Sequence, residues 1–328
     1  MNGRDAELRE LVNDLAALTP TAIEAQLVEL GLLGIDVPER DGGSGGSLAD
    51  LLVIVEEFAT RGVSSSLIDA SCAHWLTTRC GQKVDLSVRS TIKLLPDGAW
   101  NETGRHTIMS VPWAREATRI LTVDAAGRVQ SLDTTAATIE HVDNVAGEPR
   151  DTVTVSTDHA SEIGRVDVNS LACRLGLLRS AALLGAATGV YRITRQHVAE
   201  RHQFGAPLNR IPAVATQLAV LKTLVLQMQT SLNRAKETYE RTGPENAFAA
   251  VAIARVTVTS SAGEVARIGH QLHGAIGTTE EHQLHRYTRP LWAWRDDDGL
   301  PRYWQEFVGQ AAMRDGEPSI WDELTAPA

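Results

Sequence analysis

Two short stretches hold the residue types best suited to gripping a phosphate group. Arg201-His202-Gln203-Phe204-Gly205-Ala206-Pro207-Leu208 stands where a long helical pattern gives way to a turn. The planar guanidinium of Arg201 matches a phosphate bidentately, and Gly205 lets the backbone turn sharply. An arginine near a helix C-terminus serves the macrodipole just as well. About 70 residues on, Gln271-Leu272-His273-Gly274-Ala275-Ile276-Gly277 ends another helix. Gly274 and Gly277 would let a ligand approach the backbone, and Gln271 offers both donor and acceptor, although two glycines also make an ordinary C-cap.

Three further constellations compete for attention. His270-Gln271-Leu272-His273 is echoed by His282-Gln283-Leu284-His285, with Glu280 and Glu281 between. A glycine break separates the pairs and no HExxH or cysteine accompanies them, so the spacing favours histidines at helix ends, and no metal is expected. The acidic run Asp296-Asp297-Asp298, followed by Gly299, reads either as a solvated turn or as a positioned carboxylate. Trp292, Trp294 and Trp304 with Tyr287 and Tyr303 suit packing at a subunit interface, because a net charge of -10 argues against base stacking.

The elements that must hold these residues are mainly helical. In the 328 residues, 43% are hydrophobic and 22% charged, the balance of a folded globular chain, and 31 basic against 41 acidic residues exclude a broad nucleic-acid face. Cys72, Cys80 and Cys173 are too scattered for a disulfide framework. With no signal-like core and no apolar window of spanning length in sight, a cytoplasmic protein is expected. Helical spacing covers 6–18, 23–33 and 48–58, the last behind a Ser47 cap with Asp50 three residues later, and PERDGGSGG between them reads as a turn rather than a P-loop. Residues 89–165 change to short β-branched runs (HTIMSV, RILTV, TVTVS) suited to hairpins. Beyond them three long helices are expected, with apolar faces Leu183-Ala187-Val190-Thr194-Val198, Val214-Leu218-Leu221-Val225-Met228-Leu232 and Val251-Val258-Val265-Leu272. The expected domains are 1–88 (helical), 89–165 (a reduced β domain) and 166–328 (a helix bundle).

A chain with PERDGGSGG early, a central β segment, RHQFGAPL, and QLHGAIGTTEE about 70 residues later resembles the acyl-CoA dehydrogenase family along nearly its whole length. The resemblance implies a mainly α fold with a small central β domain: N-terminal helices, a short β segment and a C-terminal four-helix bundle. It also implies FAD shared between subunits, with Arg201, Phe204, Gln271, Gly274 and Gly277 gripping its pyrophosphate and adenosine half.

The departures matter as much. No TEP or GSD segment, which in the family holds the flavin ring and the thioester, occurs between Cys80 and Gly164, and Asn101-Glu102-Thr103-Gly104 is a poor substitute. Alignment from Gln271 puts Asp298 where the family's catalytic glutamate stands, one methylene short. The alternative position for that glutamate, on the first bundle helix, falls at Cys173-Arg174-Leu175-Gly176-Leu177, which has no carboxylate. The chain therefore resembles the shortened subunit of the heterotetrameric (α2β2) steroid acyl-CoA dehydrogenases of actinobacteria. That kinship implies a sister subunit carrying the flavin-ring pocket and the base, an acyl-CoA substrate of the steroid-derived kind, and an electron-transfer-flavoprotein-type acceptor. A self-sufficient homo-oligomer using Asp298 or Asp297 as base, and a non-catalytic scaffold subunit, are the alternatives.

Overall fold

In the computed structural model the described residues are 3–96, 104–298 and 301–325, so Asn101, Glu102, Thr103 and Gly299 lie outside them. The first helices are α1 (Gly3–Leu15), α2 (Pro20–Glu29), α3 (Leu48–Thr60) and α4 (Leu67–Arg79). α3 begins at a reciprocal capping box: the Ser47 hydroxyl accepts from the Asp50 amide (3.2 Å), and the Asp50 carboxylate accepts from the Ser47 amide (2.9 Å). The expected turn between α2 and α3 is a tightly folded connector. A Cβ on Gly43 would lie 2.2 Å from the Val37 carbonyl oxygen, so glycine is needed there for packing.

The strands β1 (Ser90–Leu94), β2 (Arg105–Pro112), β3 (Arg119–Val123), β4 (Arg128–Asp133), β5 (Thr138–Glu140), β6 (Arg150–Ser156) and β7 (Ala160–Arg165) form two sheets, ordered β1-β3-β4-β7 and β2-β6-β5. Hairpin-like antiparallel pairing dominates, as the turn-rich sequence predicts. The exception is β1 against β3, which run parallel in the register Ser90↔Arg119. β2 intervenes in sequence and leaves for the other sheet, which is how two neighbours come to point the same way. Ile108, Val111, Ile120, Leu132, Val153 and Val155 make the core of this region.

The C-terminal helices are α5 (Val168–Glu200), α6 (Pro212–Thr242), α7 (Phe248–His273), α8 (His285–Arg295) and α9 (Pro301–Thr325), with the two-residue strands β8 (His202–Gln203) and β9 (Ala206–Pro207) after α5. The three apolar stripes face inward, except that Val214 and Leu218 at the start of α6 are only half-buried. Leu183, Ala187, Val190, Thr194 and Val198 are buried on α5, as are Leu221, Val225, Met228 and Leu232 on α6 and Val251, Val258, Val265 and Leu272 on α7. α8 and α9, which the spacing does not announce, pack against α7. Two helical segments, Val168–Glu200 and Phe248–Thr278, prove long and apolar enough to cross a membrane by length and composition, contrary to the expectation that none is. Their most apolar windows are 94% and 61% buried within the fold, the pattern of core helices.

By contact density the chain divides into two units, Met1–Ile54 with Ser64–Leu175, and Val55–Val63 with Gly176–Ala328. The first helices and the sheets share one unit, and the bundle, with the end of α3, is the other. Within the second unit a Cβ on Gly185 of α5 would lie 2.2 Å from the Glu56 carbonyl oxygen of α3, so these two backbones meet directly. Replacing the α3 cap, Ser47→Ala, is expected to cost about 1 kcal/mol, read as a lower denaturant midpoint at unchanged slope. An unshifted midpoint would remove the capping box from the fold's stability.

Candidate functional site

The second unit brings the two sequence motifs together. α5 ends at Glu200, and the chain reverses through β8 and β9 in the register His202↔Pro207, Gln203↔Ala206. The two residues left at the turn, Phe204 (φ 53°) and Gly205 (φ 80°), both have positive φ, the signature of a type I′ hairpin. Glycine adopts this readily, whereas phenylalanine pays roughly 1–2 kcal/mol for the left-handed backbone. Phe204 is also 92% exposed. A strained backbone that holds a large apolar ring out in solvent is unexplained by the fold of this chain alone.

Arg201, at the start of the same hairpin, is exposed, and its guanidinium has no ion pair or hydrogen bond among the described residues. Arg201, Phe204, Gln271 and Gly274 all line a cavity of about 790 Å³ between the β8–β9 hairpin, the start of α6 and the end of α7. The two glycines of the second motif differ in role. Gly274 terminates α7 at φ 65°, ψ -145°, a conformation open only to glycine, and nothing lies within 4 Å of where a Cβ would stand. Gly277 is buried, and its Cβ would lie 2.7 Å from His273 Cβ and 3.0 Å from Leu284 Cδ2, so it serves packing. The donor set fits the pyrophosphate and adenosine half of FAD: an uncommitted guanidinium, an amide side chain, an unobstructed glycine backbone and an uncovered aromatic ring.

Asp298 sits in a different environment. Its carboxylate accepts from Arg179 Nε at 2.6 Å, and Arg179 Nη2 stands 3.9 Å from Asp297 Oδ2. Arg255, fully buried, donates through Nη2 to the Asp297 carbonyl oxygen at 3.1 Å. Burial pulls the Arg255 guanidinium down to about 10, and Asp298 is the largest influence opposing that pull. Arg255 thus stays cationic at neutral pH. The acidic run is a turn after α8 in which Asp296 is exposed, while Asp297 and Asp298 are half-buried against two arginines that sequence reasoning passed over. At the alternative base position, Arg174 is buried, ion-pairs with Asp36 and stacks over Trp75 at 5.3 Å.

The histidine set divides. His270 Nε2 bonds Thr288 Oγ1 at 3.1 Å, and His285 Nδ1 donates to the His282 carbonyl oxygen at 2.8 Å. His273 and His282 instead converge with His197, which the sequence motifs did not include. The signal was available, since His197 lies four residues before Arg201 and shares its helix face. Burial pulls His273 down to about 4, with its neighbours His197 and His282 adding to the shift against the Gly269 carbonyl. Burial likewise lowers His197, with His282 and Arg201 reinforcing and Glu200 opposing.

Comparison with known proteins follows this geometry. Residues 5–83 match the acyl-CoA dehydrogenase N-terminal domain and residues 175–293 the acyl-CoA dehydrogenase C-terminal domain. The chain belongs to the acyl-CoA dehydrogenase family, a family of flavoprotein oxidoreductases. Among its relatives is the acyl-CoA dehydrogenase IpdE2 of Mycolicibacterium smegmatis, 25% identical over 264 residues that cover 79% of this chain and 77% of that one. The ChsE4–ChsE5 complex of Mycobacterium tuberculosis superposes with a TM-score of 0.80 at 17% identity, over 96% of this chain and 98% of that one. Butyryl-CoA dehydrogenase of Megasphaera elsdenii does so at 0.80 and 18%, over 96% and 99%.

Because His273 is held neutral, an unfolded chain binds a proton there that the folded chain refuses between pH 6.5 and about 4. Its contribution to stability is complete above pH 6.5 and is lost as the pH falls toward 4, by up to about 3 kcal/mol. Denaturant midpoints measured from pH 7.5 to 4.5 should fall more steeply for the wild type than for His273→Asn. Parallel profiles would show that His273 does not titrate in this way.

Proposed function

We propose that the chain is the flavin-gripping subunit of a heteromeric acyl-CoA dehydrogenase, whose sister chain supplies the flavin-ring pocket and the catalytic base. The observation that carries this reading is the contrast between the two ends of the chemistry. Arg201, Phe204, Gln271 and Gly274 are uncommitted and converge on one cavity, whereas Asp298, at the position of the family's base, is already held by Arg179 and Arg255. A base must be free to reach the substrate's proton, and a carboxylate oxygen that already accepts from Arg179 Nε at 2.6 Å is engaged elsewhere.

Within this reading each residue has a task. Arg201 offers a bidentate fork to the pyrophosphate, Gln271 and the Gly274 backbone offer short-range polar contacts, and Phe204 covers an apolar face of the adenosine half. FAD, when bound, supplies the hydride acceptor for α,β-dehydrogenation of an acyl-CoA thioester. Gly277 supports the site by letting the turn after α7 close against His273 and Leu284. A heteromeric assembly, with α2β2 stoichiometry expected from the family resemblance, is supported by the likeness to the ChsE4–ChsE5 complex, and a steroid-derived acyl group by the likeness, at a TM-score of 0.81, to the Tcur3481–Tcur3483 steroid ACAD. An electron-transfer-flavoprotein-type acceptor follows from the family.

Two substitutions test this reading, and the second separates it from a self-sufficient homo-oligomer. Arg201→Ala should strip flavin from the purified complex, since each charged hydrogen bond to phosphate is worth roughly 1.5–3 kcal/mol; unchanged flavin content would remove Arg201 from the site. Asp298→Asn should leave kcat of the folded complex within about twofold while lowering its thermal midpoint, because it leaves buried Arg179 and Arg255 under-compensated. A loss of turnover by several orders of magnitude at full flavin occupancy would make Asp298 the base instead.

A further inference from the structure

We propose that His197, His273 and His282 form a three-imidazole site for a divalent transition cation, zinc or a zinc-like ion, beside the cavity lined by Arg201. The three residues come from separate elements: the last turn of α5, the last residue of α7 and the loop before α8. One ligand nitrogen from each lies within 4.8 Å of the other two, so some point is no more than about 2.8 Å from all three, against about 2.0–2.1 Å for a Zn–N bond. Inward movement of about 0.7 Å per ring closes that gap, within the reach of side-chain rotation.

The tautomer of the most buried member supports the assignment. His273, 5% exposed, donates from Nδ1 to the Gly269 carbonyl oxygen at 2.8 Å. Its Nε2 therefore carries a lone pair, and that atom is buried without a hydrogen-bond partner. A backbone carbonyl that fixes one ring nitrogen while the other is left bare is the arrangement found behind metal-bound histidines. A buried acceptor without a donor calls for a partner, and here two further imidazoles converge on it.

His197 and His282 are half-buried and can turn. The rings are packed as a group, with centroids 4.5 Å apart for His197 and His273 and 4.5 Å for His273 and His282. His282 Nδ1 accepts the Leu284 amide at 3.1 Å. Ligation through either nitrogen of His282 gives up that bond: through Nδ1 directly, or through Nε2 by moving the ring proton to Nδ1. With no carboxylate or thiolate in the set, the ligands are neutral and nitrogen-only, which suits zinc, cobalt and nickel rather than magnesium or calcium. A fourth position remains for water or for a ligand entering the cavity, which His197 and His273 both line. The site lies wholly within the second unit and stands independently of how flavin is held.

The test uses the untagged full-length chain, stripped with a chelator and then exposed to excess zinc before gel filtration and elemental analysis. The wild type and His141→Ala, which alters a histidine of the other unit, should each retain about one zinc per chain. His273→Asn keeps an N–H for the Gly269 carbonyl and deletes Nε2, and His197→Gln alters the half-buried member; both should retain less than a tenth of that amount. Cobalt in place of zinc should give visible d–d bands that the two variants lose. Zinc that is not retained by the wild type overturns the proposal. So does zinc retained equally by His197→Gln, which also decides the matter if His273→Asn does not fold.

Discussion

A single helix of 33 residues, α5, sets the conditions that the rest of the molecule must meet. Its middle is apolar and buried, yet it carries Arg174 and Arg179, whose buried guanidinia have to be paired where they stand, and the exposed Arg192 further on. Asp36 answers Arg174, Asp298 answers Arg179, and the Tyr287 hydroxyl accepts from Arg192 at 3.0 Å. The pairing fixes the chemistry as well as the packing. Asp298, the carboxylate considered above as a base, is the one that α5 requires as a counter-ion for Arg179. At its far end the same helix delivers His197 and then Arg201, whose guanidinium is left uncommitted among the described residues.

The site at that end is built from backbone strain as much as from side chains. A phenylalanine in the left-handed region and a glycine in a conformation closed to other residues stand at the ends of two neighbouring helices. Strain of this kind persists only where surrounding structure enforces it, and here the hairpin pairing of β8 with β9 and the packing of Gly277 against His273 do so. Preorganised in this way, the cavity asks little further ordering of a ligand that enters it.

Much of this was legible in the sequence. The three bundle stripes, the Ser47 capping box and the glycine connector follow from spacing and cap chemistry, and residues of RHQFGAPL and QLHGAIG line the cavity. What spacing could not supply was partnership across long separations. Nothing local in DDD signals that Asp298 meets Arg179, 119 residues away, or that Arg255 lies behind the run. His197 lies one turn before Arg201, but its pairing with His273 and His282, 76 and 85 residues further on, is likewise not a local signal. The parallel pairing of β1 with β3 was hidden too, because β2 lies between them in sequence and leaves for another sheet. The spanning-length apolar helices were masked by arginines that the fold neutralises.

The central claim is that one half of a flavin site is present and the other half, with the base, belongs to a second chain. The most direct measurement is flavin absorbance per chain, taken on this protein purified alone and purified after co-expression with a longer sister subunit. The account predicts a colourless lone chain and a yellow complex with about one FAD per pair of chains. A lone chain that is itself yellow, stoichiometric in FAD and active on an acyl-CoA would contradict it.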